Sequence, residues 1–144
     1  MKTKEYVLGF IFDPTGERVV LQQKQRPDWQ RNKWNGIGGH IEDREPPGLA
    51  MVRECEEETG LLIPVEQWSG VCELRGEGFC VYVYATYSDQ YADFENGEDK
   101  ELMREFVPNE LPAAVIPNLR WMIPMALSMT RGESAKSFVV NEIR

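Results

Sequence analysis

Four glutamates are concentrated in the short segment 53–58, which reads RECEEE. A helix turns by about 100° per residue, so Glu54, Glu57 and Glu58 are predicted to share one face, while Glu56 points to nearly the opposite side. Like charges at these spacings repel one another, and negative charge near a helix C-terminus also opposes the helix dipole. Side chains placed so unfavourably indicate a cation that they hold, and carboxylate oxygens are the ligands that Mg²⁺ prefers.

A solvated acidic helix face, with Arg53 as a surface ion-pair partner, is the simpler interpretation of such a segment taken alone. The residues around it argue for chemistry instead. A glycine pair at 38–39 and a glutamate at 45 precede the segment, and a glycine and a leucine at 60–61 close it.

The full pattern resembles the Nudix box. It runs as Gly39, five residues, Glu45, seven residues and then Arg53 to Leu61, with every fixed position filled. The one departure is Cys55, where the family prefers an aliphatic residue; cysteine packs as a small hydrophobic side chain and should be tolerated. The resemblance implies an α/β fold of the Nudix type, an α/β/α sandwich in which a mixed β-sheet carries helices on both faces. It also implies that Glu45 braces the loop before the helix.

The resemblance further implies a metal-dependent hydrolase with a role for each residue of the box. The metal ligands would be Glu57, Glu58 and the backbone carbonyl of Gly38. Glu54 would bind the metal or act as general base toward the attacking water, and both roles stay open. Arg53 would orient the carboxylates, because a guanidinium can hold a carboxylate through paired hydrogen bonds. The expected cofactor is Mg²⁺, for which Mn²⁺ can substitute.

The implied reaction is hydrolysis of a phosphoanhydride bond. Water attacks phosphorus in line while negative charge spreads over the non-bridging oxygens and builds on the leaving group. Metal ions that bridge those oxygens supply most of the electrostatic stabilisation, and a carboxylate aimed at the water completes the set.

Residues outside the box resemble one branch of the family, the hydrolases of oxidised purine nucleoside triphosphates. The strand-like segment 18–24 and the sequence WNGIGG at 34–39 are both similar to that branch. By this resemblance Asn35 would recognise the base and Lys24 would bind substrate. Glu101 would be a further metal ligand, in preference to the acidic residues at 98 and 99.

The resemblance to that branch is weaker toward the C-terminus. The branch reads the purine with an aromatic and two acidic residues, whereas this chain has VIPNLRW at 115–121. Asn118 can donate and accept hydrogen bonds at a base edge, and we expect it to bind substrate. Segment 76–79 reads GEGF and lacks both the proline typical of ADP-ribose hydrolases and the tyrosine typical of dinucleoside polyphosphate hydrolases. A (d)NTP converted to (d)NMP and diphosphate, with 8-oxo-dGTP as the type of oxidised substrate, is therefore favoured over ADP-ribose or another nucleoside diphosphate derivative.

Hydrophobic periodicity predicts the scaffold for these residues. Strands are predicted at 6–12, 18–24, 61–75, 79–88 and 101–107, with 137–143 as a final strand or a tail. The first two are joined by the turn sequence DPTG and should form a hairpin. An irregular stretch at 25–35 leads through the glycines to an extended piece at 40–42. One helix is predicted from Pro47 to Thr59, with Gly60 just past its end, and a second over 117–129.

The composition is that of an ordinary globular protein, and 144 residues predict a single domain over 1–144. The 16 basic and 24 acidic side chains give a net charge of -8, which disfavours long nucleic acid and leaves a small-molecule nucleotide as partner. No apolar run is long enough to span a membrane, and the three cysteines have no metal spacing. We expect a cytoplasmic protein without a signal peptide or membrane partner, as a monomer or a homodimer.

One alternative belongs to a different functional class. A Nudix-like module without catalytic activity could sense a nucleotide within a regulator. The intact acidic set and the lack of a DNA-binding segment favour the enzyme.

Overall fold

The computed structural model describes residues 2–96, 100–130 and 138–142. Eight strands and two α-helices follow one another within these ranges. Their bounds are β1 Lys4–Phe12, β2 Val19–Gln23, β3 Trp34–Asn35, β4 Ile37–His40, α1 Pro47–Thr59, β5 Ser69–Gly76, β6 Phe79–Tyr87, β7 Met103–Phe106, α2 Leu119–Thr130 and β8 Phe138–Asn141.

The strands form one mixed sheet in the order β3-β2-β1-β6-β5-β8, and in addition β4 pairs with β1 and β7 with β2. The predicted hairpin is confirmed: β1 and β2 are antiparallel, with Ile11 opposite Val20. Strand β1 is parallel to β6, β6 is antiparallel to β5, and β5 is parallel to β8. The central strand β1 therefore has β2, β4 and β6 as direct neighbours, and β4 carries the glycine pair of the motif.

Each face of the sheet is covered by one helix, which confirms the predicted α/β/α sandwich. Alternate residues of β1 point to opposite faces. Val7 and Ile11 belong to the apolar cluster under α1, and Phe10 and Phe12 belong to the cluster under α2. The buried helix residues in these clusters are Ala50, Met51 and Cys55 of α1 and Leu119, Met122, Ile123 and Ala126 of α2.

The continuous strand predicted over 61–75 is wrong in its first half. Residues Val65–Gln67 form a 3-10 turn, and β5 begins at Ser69. Pro64 has no amide hydrogen to donate to a neighbouring strand. Trp68 is buried, and its Nε1 donates to the Ile63 carbonyl at 3.2 Å, which folds the segment back on itself. The extended piece expected at 40–42 begins earlier, because β4 pairs with β1 from Ile37 onward.

Cys55, Cys72 and Cys80 are all buried, and none of them forms a disulfide with another described residue. Glu98 and Asp99, the alternatives to Glu101 as a metal ligand, lie outside the described residues. Within the described ranges, neither helix is both long enough and apolar enough to cross a membrane.

Candidate active site

The acidic residues are carried by α1, which has the bounds predicted from the sequence. Thr59 closes the helix: its hydroxyl donates to the Cys55 carbonyl at 2.6 Å and accepts a hydrogen bond from the Leu61 N–H at 3.0 Å. Gly60 follows with a left-handed φ of 80°, which glycine adopts without strain. These contacts fix the last turn of the helix, where the acidic residues lie.

The predicted division of the glutamates between two sides of α1 is confirmed. Glu54, Glu57 and Glu58, together called the acidic face below, differ in depth. Glu54 is buried with 8% of its surface exposed, Glu58 is half-buried, and Glu57 lies at the rim with its side chain 58% exposed. Glu56 on the other side of the helix is exposed. Two of the three carboxylates of the acidic face are thus withdrawn from bulk water.

Arg53 holds the acidic face from one side. Its Nε and Nη2 donate to the two carboxylate oxygens of Glu45, each at 2.8 Å, and Nη2 also donates to the His40 carbonyl at 3.0 Å. Its Nη1 donates to Glu54 Oε1 at 2.9 Å and to Glu57 Oε2 at 3.3 Å. Because the guanidinium is a rigid planar fork, these bonds fix the two carboxylates relative to the loop at Glu45. This is the contact pattern of a residue that orients carboxylates and of a glutamate that braces the loop.

Burial changes the acidity of the two inner glutamates. Burial raises the pKa of the Glu54 carboxyl, and the hydrogen bond from Arg53 acts in the opposite direction. Burial likewise raises the pKa of Glu58 to about 7; Lys24 lowers it, while Glu101 and the other glutamates of the acidic face raise it further. Glu58 therefore lies within electrostatic reach of one ammonium group and three other carboxylates.

Lys24 and Glu101 face each other at the ends of β2 and β7. The pairing of these strands continues through the hydrogen bond from the Gln23 N–H to the Leu102 carbonyl at 2.8 Å. Lys24 Nζ lies 3.3 Å from Glu101 Oε2, and the two side chains are only 17% and 18% exposed. Glu101 Oε1 accepts a hydrogen bond from the Gln25 N–H at 3.2 Å. Glu101 Oε2 is buried and, among the described residues, receives no bond of hydrogen-bond geometry.

The glycine pair of β4 lies between β1 and the acidic face. Gly38 is opposite Leu8 of β1 and Gly39 is opposite Val7. A Cβ on Gly38 would collide with the Val7 carbonyl oxygen, and a Cβ on Gly39 would come within 2.6 Å of Glu54 Oε1. A side chain at Gly38 would therefore force the backbone to shift, whereas a side chain at Gly39 would displace the Glu54 carboxylate. Gly38 precedes Gly39 in the chain, so its backbone lies one residue from the contact between Gly39 and Glu54.

The donors gathered here fit a hard divalent cation in their chemistry, since they are carboxylates and one of them has a buried oxygen without a hydrogen bond. In the part of the chain that the structure describes, no three His, Cys, Asp or Glu side chains already converge on a common point as a formed metal site. The carboxylates are instead held by the protein's own cations. Arg53 contacts Glu54 and Glu57, and Lys24 contacts Glu101.

Asn35, the candidate for base recognition, lies on β3 at the edge of the sheet. Its Nδ2 donates to Gln30 Oε1 at 3.1 Å, and its Oδ1 accepts a hydrogen bond from the Gly36 N–H at 2.8 Å. The register places Asn35 opposite Gln22, two residues before Lys24. The structure thus brings Asn35 and Lys24 to the same edge of the sheet.

Asn118, the third candidate for substrate binding, precedes α2 and lies in the layer on the other side of the sheet from the acidic face. Its Oδ1 accepts a hydrogen bond from Trp121 Nε1 at 3.0 Å. The segment before it reaches the edge at β3, where Val115 pairs with Trp34. Asn118 therefore follows shortly after Val115, which pairs with the neighbour of Asn35. It lies on the α2 side of the sheet and not on the α1 side.

Gln22 is a buried polar residue of this region that the sequence pattern did not single out. It is 0% exposed, and its Nε2 donates to the Gly36 carbonyl at 3.1 Å, beside Asn35. The signal that could have found it is the alternation along β2, because Val20 is core and Gln22 points to the same face. A glutamine at an inward position needs a partner, and this one connects β2 to the segment between β3 and β4.

Comparison with known proteins agrees with this geometry. The model of the NUDIX domain matches residues 2–136. A MutT NUDIX hydrolase from Burkholderia pseudomallei is similar in structure with a TM-score of 0.70 and 20% identity, over 87% of this chain and 98% of that one. The ORF135 protein of E. coli has a TM-score of 0.67 and 20% identity, over 94% and 96% of the two chains. A MutT structure from work on Aliivibrio salmonicida and Vibrio cholerae has a TM-score of 0.67 and 21% identity, over 85% and 98%.

Structural likeness at these identities establishes the shared fold, and the family model, which spans most of the chain, establishes the family. The sequence motif, the sandwich of helices around a mixed sheet and the acidic face on α1 all agree with it. The chain belongs to the NUDIX domain family and is a Nudix hydrolase, an enzyme that acts on pyrophosphate bonds.

Proposed function

We propose that this enzyme hydrolyses a nucleoside triphosphate to the monophosphate and diphosphate in the presence of Mg²⁺, with an oxidised purine nucleotide of the 8-oxo-dGTP type as the first candidate substrate. The observation that carries the proposal is the burial of Glu54 and Glu58 close to Glu101. Burial of several carboxylates near one another is unfavourable unless a cation compensates them. Such a site beside a sheet edge that carries Asn35 and Lys24 suits a phosphorylated ligand with a base.

The residues that would hold the metal are Glu57, Glu58 and the carbonyl of Gly38, with Glu54 and Glu101 as further ligands. When bound, a divalent ion neutralises charge on the phosphate oxygens and so stabilises the transition state. Mn²⁺ should substitute for Mg²⁺, because carboxylate and carbonyl oxygens suit both ions.

If Glu54 acts as general base, its carboxylate would accept the proton of the attacking water. Burial raises the pKa of its carboxyl, which makes it a better proton acceptor than an exposed glutamate. Arg53 Nη1 holds Oε1 at 2.9 Å and gives the carboxylate one orientation. These two facts favour the role of general base over that of a metal ligand alone. Arg53 would act through Glu54 and Glu57 rather than on the substrate.

The remaining residues would place the substrate. Lys24 would contact the phosphates, since a lysine ammonium is a compact charge suited to phosphate oxygens. Asn35 would read the base at the β3 edge, and Asn118 would contact a base edge from the α2 side. The two asparagines now bond to Gln30 and to Trp121, so base binding requires exchange of these internal hydrogen bonds.

A nucleotide panel tests this function. Purified protein with Mg²⁺ is incubated with canonical and oxidised (d)NTPs, ADP-ribose and dinucleoside polyphosphates, and the phosphorus products are identified. We expect monophosphate and diphosphate from a (d)NTP, with the highest kcat/KM for an oxidised purine. A preference for ADP-ribose would replace the proposed substrate class. Binding of nucleotides without any turnover would instead support a nucleotide-sensing module.

A further inference from the structure

We propose that Lys24 is a stand-in for the metal: without metal, its ammonium pairs with Glu101 and partly compensates the charge of Glu58, and the metal displaces it. This inference rests on the proposed function, because it takes those two glutamates as metal ligands. It gives Lys24 a role in the metal-free protein that is separate from contact with substrate.

The main chain fixes the place of Lys24. Pairing of β2 with β7 ends in the hydrogen bond from the Gln23 N–H to the Leu102 carbonyl, so the next residue of each strand stands opposite the other. These residues are Lys24 and Glu101, whose charged atoms are 3.3 Å apart. Strand register therefore places the two residues opposite each other, within reach of an ion pair.

The two oxygens of Glu101 have different partners, and this difference points to displacement. The Gln25 N–H holds Oε1 at 3.2 Å, and this bond can remain when Lys24 leaves. Oε2 is buried, and Lys24 Nζ lies near it without hydrogen-bond geometry. Among the described residues, Oε2 has only this nearby charge as partner, so it is ready to accept a metal ion in its place.

Lys24 also acts on Glu58 across the gap between the sheet and α1. Its positive charge lowers the pKa of Glu58, against the effects of burial and of Glu101. One ammonium group thus partly compensates two carboxylates, one from α1 and one from the β7 end of the sheet. Burial strengthens this compensation, because charges with little water around them interact through a lower effective dielectric constant.

A divalent ion between the same carboxylates would bring twice the positive charge to them and would repel the ammonium. Lys24 would then be free to contact the phosphates of the substrate, the role proposed for it above. Metal binding and the availability of Lys24 for substrate would therefore be coupled.

Metal binding without nucleotide tests this proposal. Lys24→Met removes the charge and keeps much of the apolar length of the side chain. Lys33→Met is the matched control, because Lys33 lies beside Lys24, accepts its N–H at 2.8 Å through a backbone carbonyl and gives the same change in net charge. Binding of Mn²⁺ to both variants and to the wild type is measured by electron paramagnetic resonance at about pH 8.5. Unfolding midpoints in EDTA and in Mn²⁺ are measured on the same samples.

We expect Lys24→Met to bind Mn²⁺ at least about fivefold more tightly than Lys33→Met, because the competing internal cation is gone. In EDTA its unfolding midpoint should be below that of Lys33→Met, and Mn²⁺ should close the gap. Folding of Lys24→Met only with Mn²⁺ would also support the stand-in role. Equal or weaker Mn²⁺ binding than the control, or failure to fold with Mn²⁺ present, would overturn it. If the wild type itself binds no Mn²⁺, the proposed function fails instead.

Discussion

The carboxylate of Glu54 lies directly against Gly39, so that a Cβ on Gly39 would come within 2.6 Å of Oε1. Gly39 is not among the residues with positive φ, so a side chain at this position would meet the Glu54 carboxylate and not a strained backbone. Two separate parts of the sequence motif, the glycine pair and the acidic helix, are therefore one packing unit. The contact between Gly39 and the Glu54 carboxylate therefore sets how deeply the acidic face is buried.

Alanine substitutions at the two glycines should have different effects. Gly39→Ala pushes the Glu54 carboxylate off Arg53, so kcat should fall by about tenfold to a hundredfold, since small misplacements of a catalytic group have large effects. Gly38→Ala meets the Val7 backbone and should lower the free energy of unfolding by more than about 4 kcal/mol. Nucleotide hydrolysis and urea unfolding of both variants check this. Equal losses of stability would contradict the assigned contacts.

Arg53→Lys should uncouple the acidic face from the loop at Glu45. Lysine cannot make the paired bonds to Glu45 and still reach Glu54, so unfolding free energy should fall by about 1–3 kcal/mol. Activity should fall as well, because the carboxylates lose their fixed orientation. A double-mutant cycle with Glu45→Gln measures the coupling between the two side chains. Additive effects of the two substitutions would show that the pair does not act as a unit.

The stability of the protein should depend on Glu45 at acidic pH. The hydrogen bonds from Arg53 lower the pKa of the Glu45 carboxyl below its value in the unfolded chain. A carboxyl whose pKa is lower in the folded than in the unfolded protein stabilises the fold at pH values above its unfolded pKa. This stabilisation is lost as the pH falls through the folded pKa. Wild-type unfolding midpoints should therefore decline more steeply below about pH 4.5 than those of Glu45→Gln. Parallel pH profiles would argue against a charged bond at Glu45.

Asn35→Ala should change base preference more than phosphate chemistry. Among the described residues its amide bonds to Gln30 and the Gly36 N–H, and neither of these partners belongs to the acidic face. We expect kcat/KM ratios between bases to shift, while kcat for the preferred phosphate tail changes little. Gln30→Ala is the control, because it removes the partner of Asn35 and leaves the amide itself in place. Equal losses for every base would remove Asn35 from base recognition.

Local signals in the sequence predicted α1 with its bounds. The prolines at its start, the apolar spacing along it and Gly60 at its end act within a few residues of the chain, so the pattern alone contains them. The side on which Glu54 and Glu58 lie followed from the same helical geometry. In segment 61–75 the apolar pattern predicted a continuous strand. That prediction failed because Trp68 turns into the core.

Contacts that depend on strand register could not be predicted from the sequence. Lys24 and Glu101 were each predicted as site residues, but nothing in a linear pattern states that β2 and β7 place them face to face. The bond from Gln22 to Gly36 depends in the same way on how β2 and β3 pair. Register is decided by packing of the whole sheet, so these contacts required the folded structure.

The most direct test of the central claim compares Glu57→Gln with Glu56→Gln. Both substitutions remove one charge from the last turns of α1, but only Glu57 belongs to the acidic face. Glu57→Gln should keep its fold, because the side chain is largely exposed and repulsion within the face is reduced, while kcat falls by about a hundredfold or more through loss of a metal ligand. Glu56→Gln should hydrolyse nucleotides at nearly the wild-type rate. A Glu57→Gln enzyme with normal kcat would contradict the assignment of the acidic face as the metal site.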